Sequence, residues 1–145
     1  MILAFNKENL EKRDFIRKIE CGVKVSTIRS DKAGKWVRGR SIQMYAKGPR
    51  NGGKMFAESY AKAVYRISID PITNSVVIKY PNSDKTLYRC VNDIDQLNIL
   101  AISDGFESWE DMKSFFKEPF VGKIIYWDLK SMKFVQGYDY EKSSN

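Results

Sequence analysis

Gly22-Val23-Lys24-Val25-Ser26-Thr27-Ile28-Arg29 sets a lysine, two hydroxyls and an arginine directly behind a glycine. Glycine takes φ > 0 without steric cost, so Gly22 can end a preceding helix and turn the chain sharply. Val25 to Arg29, with β-branched side chains at Val25, Thr27 and Ile28, predicts a strand. On that strand Val25, Thr27 and Arg29 share one face, and Lys24, Ser26 and Ile28 the other. Lys24 stands at the junction of turn and strand, where its long side chain can fold back towards Thr27. An amine beside a hydroxyl makes a nucleophile and base when burial strips the amine of its proton. Arg29 adds a planar fork for carboxylate or phosphate. The same spacing also fits an ordinary strand start with solvated polar side chains, and spacing alone does not choose between them.

On the N-terminal side, Ile2 to Phe5 reads as a short buried strand. Asn6 is placed to cap a helix running from Lys7 to Cys21, with Phe15, Ile16 and Ile19 on one side and Leu10 nearby. On the C-terminal side comes a basic loop over 30–40, in which Gly34 and Gly39 flank Trp36 and make it the aromatic expected to be most exposed. Ser41 to Ala46 alternates as a half-buried strand does. The glycine-rich run 47–54 carries Lys47, Arg50 and Lys54 but lacks the spacing of a phosphate-binding fingerprint, so it reads as a mobile loop.

Phe56 to Ile69 predicts a long strand with room for a bulge, turning Ala61, Ala63, Tyr65, Ile67 and Ile69 inward. Turn residues at 70–75 and 81–84 continue it as a meander through Val76 to Tyr80 and Thr86 to Cys90. Asn92 caps a helix with Ile94, Leu97, Leu100 and Ala101 at helical spacing, closed by Gly105. Ser108 and Asp111 approximate a capping box for a second helix, which Pro119 stops. Gly122 to Trp127 closes the sequence of strands. The chain turns polar from Asp128, so one domain over 1–128 with a fraying tail over 129–145 is expected.

The composition narrows the chemistry. A chain of 145 residues, 43% hydrophobic and 13% aromatic, is sized for one domain with a real core. It contains no histidine, so Ser-His-Asp, Cys-His and His-metal mechanisms are excluded within it. Its two cysteines, Cys21 and Cys90, indicate neither a disulfide framework nor a zinc site. No metal and no cofactor is expected. No apolar run approaches the ~20 residues of a membrane span, and no signal peptide opens the chain, so a cytoplasmic protein is expected.

The net charge of +7 is concentrated between Asp31 and Arg66, where nine cations face two anions. An excess so confined suggests a surface for a polyanion, though a solvated patch has the same composition. Trp36, Tyr45, Phe56, Tyr60 and Tyr65 are interleaved with these cations, as stacking aromatics are in single-strand RNA binders. Phe56 and Tyr65 alternate as core residues instead. Asp104 lies beside Gly105 at a helix C-terminus, where the dipole disfavours an anion, and pairing with Lys24 or Arg29 would account for it.

Gly-x-Lys-x-x-Thr-Ile-Arg after a helix resembles the signature of ASCH domains, small PUA-like β-barrels. Lys35-Trp36-x-x-Gly39, Ala101-x-x-Asp104-Gly105-Phe106 and Phe120-x-Gly122-Lys123-Ile124-Ile125-Tyr126-Trp127 follow in the matching order. The resemblance implies a PUA-like α+β fold, a mixed and mostly antiparallel barrel of six or seven strands with helices packed at its ends. It further implies binding of RNA or a modified nucleoside in a basic cleft. Some small ASCH proteins resemble a bacterial amidohydrolase that deacetylates 4-acetylcytidine. Its catalytic lysine, threonine and acid then fall on Lys24, Thr27 and Asp104, the acid being Asp where that enzyme has Glu. Ser26, Arg29, Trp36, Arg38, Tyr45 and Lys47 become the substrate-binding candidates, with Arg29 or turn N–H groups as oxyanion donors. The alternatives are a non-catalytic RNA-binding or protein-interaction module, or a metal-independent ribonuclease.

Overall fold

The spine of the fold is one long strand, β4 (Lys54–Asp70), whose 17 residues are shared between two half-sheets. In the computed structural model, which describes residues 1–81 and 86–135, its first half pairs antiparallel with β3 (Ser41–Ala46). Parallel to β3 runs β1 (Ile2–Phe5). The second half carries β5 (Ser75–Pro81) on one edge and β7 (Phe120–Trp127) on the other. Beyond these lie β6 (Thr86–Val91), paired with β5, and β2 (Ser26–Arg29), paired with β7. A two-residue β8 (Lys133–Phe134) pairs with Ala57 and Glu58, so sheet pairing extends past Asp128. The expected turn over 82–84 and the tail from 136 onward lie outside the described residues.

The chain is thus α+β with a mostly antiparallel sheet, but among the described residues the sheet does not close into the expected barrel. A register shift between Ala61 and Ala63 splits β4 where it passes from one half-sheet to the other, and bulges bend and twist a strand in this way. Between β1 and β2, where closure would need a ladder, a side chain intervenes: Arg29 Nη2 donates to the Ala4 carbonyl at 2.9 Å.

The helix expected over 7–21 is two helices, α1 (Lys7–Glu11) and α2 (Phe15–Glu20). Asn6 caps the first as anticipated, accepting from Asn9 N–H at 2.8 Å. The break lies at Asp14, whose φ of 51° is left-handed. It adjoins Arg13, which is drawn inward to Asp111 of the distant helix α4 (Trp109–Phe115). After the break, α2 buries Phe15, Ile16 and Ile19, each contributing about 1.5–3 kcal/mol relative to exposure. The remaining helix, α3 (Ile94–Ser103), is capped by Asp93 rather than Asn92, its carboxylate accepting from Gln96 N–H. Ser108 caps α4 as expected. The glycine-rich run forms a short 3₁₀ turn, Pro49–Asn51. Among the described residues no helix is long and apolar enough to cross a membrane.

Candidate functional site

The turn at Gly22, with φ of 76°, aims the following residues across the fold. Val23 and Lys24 both return their N–H groups to the Lys18 carbonyl, closing the C-terminus of α2, and Val25 N–H donates to Ser103 O at 2.8 Å. That last bond fixes the start of β2 against the end of α3, bringing Lys24 onto Asp104 from 80 positions away. Gly105 completes the approach. Its φ is 101°, and a Cβ there would lie 2.7 Å from Lys24 Cδ and 2.8 Å from the Phe15 ring. Only glycine fits at that position.

Between β1, β2, α1 and the ends of α3 and α4 lies a cavity of about 210 Å³ that Lys24, Thr27, Arg29 and Asp104 all line. Its walls include Phe5, Phe15, Phe106, Phe115, Phe116 and Phe120. The volume is below the roughly 300–1,000 Å³ of pockets for drug-sized ligands and suits a single heterocycle.

Lys24 is buried with its Nζ 4.3 Å from the centre of the Phe15 ring. The ammonium donates to Ser26 O at 2.6 Å and to Asp104 O, and it stands 3.9 Å from Asp104 Oδ1. Burial pulls its pKa down to about 8; the Asp104 charge opposes this, while Arg29 and Lys18 add to it. Asp104 moves the other way for the same reason. Burial pushes its carboxyl up to about 6, and Lys24, the Ser26 hydrogen bond and Arg29 recover only part of that rise.

The hydroxyls of β2 divide as the strand alternation requires. Ser26 is wholly buried and donates from Oγ to Asp104 Oδ1 at 2.9 Å, so it supports the acid and does not line the cavity. Thr27 faces the cavity, and its Oγ1 accepts from Arg29 Nε at 3.3 Å. Among the described residues no hydrogen bond joins Lys24 to Thr27. The Thr27 hydroxyl therefore keeps its proton available, with a cation already bonded to its oxygen. The Arg29 guanidinium also lies 5.2 Å from the centre of the Phe5 ring.

The other expected ligand contacts lie elsewhere. Trp36, expected to be exposed, is 5% exposed. Asp31 accepts N–H bonds from Lys35 and Trp36, both at 2.8 Å, and Lys123 Nζ donates to Trp36 O at 3.0 Å. These bonds fold the loop back and press the indole inward. Trp36 and Arg38 line a second groove of about 440 Å³ with Tyr65, Arg66 and Lys79. Tyr45 is half-buried on the face of β3 opposite Ile42, Met44 and Ala46. Lys47 is exposed at a left-handed turn, with φ of 69°. Neither Tyr45 nor Lys47 lines the Lys24 cavity.

Sequence reading missed Asn9 and Arg13, both buried, which flank the cavity from α1 and its C-terminal end. Arg13 Nη1 donates to Asn9 Oδ1 at 2.7 Å, and the guanidinium sits 5.1 Å from the Phe106 ring centre. The available signal was their i,i+4 spacing, which puts an amide and a guanidinium on one helical face. Among the described residues no group of three or more His, Cys, Asp or Glu side chains could hold a metal ion. No family model, curated protein or solved structure matched the chain.

Proposed function

We propose that the protein is an ASCH-type amidohydrolase that accepts a modified nucleoside in the Lys24 cavity and removes an acyl group from a cytidine-like amine. The observation that carries this reading is the buried Lys24–Asp104 pair beside a cavity-facing hydroxyl. A structural ion pair needs no aromatic cavity in front of it, whereas a base needs a pKa near the working pH.

In the first step Thr27 Oγ attacks the acyl carbon while Lys24, in its neutral form, takes the hydroxyl proton. The carbon–nitrogen bond breaks, the nitrogen leaves with that proton as the free amine, and the acyl group remains as a threonine ester. Water then adds to the ester with Lys24 again as base, which releases the carboxylic acid and restores Thr27. Arg29, bonded to the Thr27 oxygen, stabilises the developing alkoxide. Asp104, bonded to Ser26 and facing Lys24, orients the amine.

The test is release of cytidine and acetate from 4-acetylcytidine by the purified protein. Lys24→Ala and Thr27→Ala are each expected to cost about 10²–10⁴ in rate with the fold intact. Asp104→Asn is expected to cost less, and Arg29→Ala is expected to weaken binding as well as rate. Absence of turnover at high protein concentration would remove the catalytic reading.

A non-catalytic binding module is the second reading. One observation favours it: Lys24 Nζ is already held by two backbone carbonyls, as a helix-capping cation is. Under this second reading the groove around Tyr65, with Arg38, Arg66 and Lys79, supplies the cations for an RNA chain. Its binding should then weaken with salt, log K falling by about 0.7 per log unit of salt for each phosphate contacted.

A further inference from the structure

We infer that Asn9 reads a hydrogen-bond acceptor on the ligand, the ring carbonyl of the base, and that Arg13 fixes the amide in the orientation this requires. The inference rests on the nucleoside reading of the cavity and names how that site selects its base.

An arginine side chain has only donors, so the Asn9 atom that meets Arg13 Nη1 at 2.7 Å must be the carbonyl oxygen. The amide NH₂ is thereby turned to the other side. Asn9 is 6% exposed and lines the cavity, yet among the described residues no acceptor meets its Nδ2. The amide donor is thus held clear of the Arg13 clamp and is left for a ligand acceptor.

Arg13 is not free to let the amide flip. Its Nε donates to both Asp111 oxygens at 3.1 and 3.2 Å. Its Nη2 donates to Asp111 Oδ1 at 3.0 Å and to Ser114 Oγ at 3.1 Å. The guanidinium plane is also backed by Phe106 and Phe115, which line the same cavity. With the acylated N4 directed at Thr27, a cytosine still offers two acceptors on its pairing edge, N3 and the C2 carbonyl, and the carbonyl, the one farther from N4, is the acceptor assigned to Asn9. Bases presenting a donor at that point meet Asn9 donor to donor.

Equilibrium binding of cytidine and 2-thiocytidine tests this, since sulfur is a much weaker acceptor than oxygen. The wild-type protein is expected to bind cytidine about tenfold more tightly. Asn9→Asp keeps the Arg13 partner and therefore the fold, while replacing the NH₂ donor with an acceptor. It is expected to lower cytidine affinity about tenfold or more and to erase the oxygen-over-sulfur preference. Arg13→Lys, which keeps the charge and loses the fork, should move that preference towards unity. Cytidine binding by Asn9→Asp equal to wild type, or a wild-type protein indifferent to sulfur, overturns the inference. Wild-type protein that binds neither cytidine nor 4-acetylcytidine overturns the nucleoside reading itself, a separate outcome from the first two.

Discussion

Two buried cations flank the same cavity, each facing an aspartate, and the two carboxylates shift in opposite directions. Burial pushes Asp111 up, but the Arg13 hydrogen bonds, the Glu107 N–H and the Arg13 charge outweigh it and hold the carboxyl below its usual range. Burial pushes Asp104 up as well, and there it wins. Two differences decide the sign. The Asp111 side chain keeps 24% of its exposure against 4% for Asp104. Arg13 also meets its acid through a fork at 3.0–3.2 Å, whereas Lys24 stands 3.9 Å from Asp104 Oδ1 and spends its hydrogen bonds on backbone carbonyls. A saturated fork makes a clamp. An under-saturated pair in a drier place makes groups that can exchange protons near neutral pH.

The comparison breaks first at Arg13. Arg13→Ala takes the guanidinium from Asn9 and Ser114 and leaves Asp111 only the Glu107 N–H, and removing one partner of a buried pair costs about 3–5 kcal/mol. Chemical denaturation would read that as a large drop in midpoint; a loss below ~1 kcal/mol would make the clamp idle. The converse is expected at the other pair. Lys24→Met with Asp104→Leu removes both charges, and such exchanges are commonly neutral or stabilising by about 1–4 kcal/mol. A double variant much less stable than wild type would mean that this pair, too, is a structural clamp.

Stability against pH separates the pairs more finely. The folded-state pKa of Asp104 is raised from 3.8 to about 6, so the native protein holds a proton that the unfolded chain has released in that window. Its contribution is greatest below pH 3.8 and falls as pH rises to about 6, by on the order of 3 kcal/mol. Asp111, with its pKa lowered, has the opposite sign: its contribution is present above the unfolded value and is lost as pH falls through the folded one. Denaturation midpoints of wild type are therefore expected to decline between pH 4 and 6, and those of Asp104→Asn to lose that decline. The smallest effect belongs to a surface control. Lys113 and Glu110 pair at 3.0 Å with Glu110 largely exposed, and Lys113→Ala should change stability by only a few tenths of a kcal/mol.

Much of this site can be read along the chain because local signals and tertiary packing agree there. Gly22 and Gly105 both adopt the positive φ that their turns demand, and the Ser41–Ala46 alternation is the strand β3. The carboxylate at an unfavourable helix end does face the lysine. What could not be read depends on contacts between distant segments. Arg13 looks like one more charge in a charged helix until Asp111, 98 positions away, is seen to hold it. The break at Asp14 adjoins the same contact. Trp36 is flanked by glycines that suggest exposure, and only Asp31 and Lys123 turn it inward. Barrel closure failed for a comparable reason: the alternation of β4 carries no sign that a bulge would divide its partners into two half-sheets.

The central claim is that Lys24 is the base, and the pH–rate profile of 4-acetylcytidine hydrolysis tests it most directly. Its pKa is drawn down to about 8, and only the neutral amine can accept a proton, so kcat/KM should rise with pH and level off above about 8. In Asp104→Asn the charge that holds this pKa up is gone, and the rising limb should move to lower pH. A profile that is flat across pH 6 to 9, or a limb that stays in place when Asp104 is neutralised, would contradict the account.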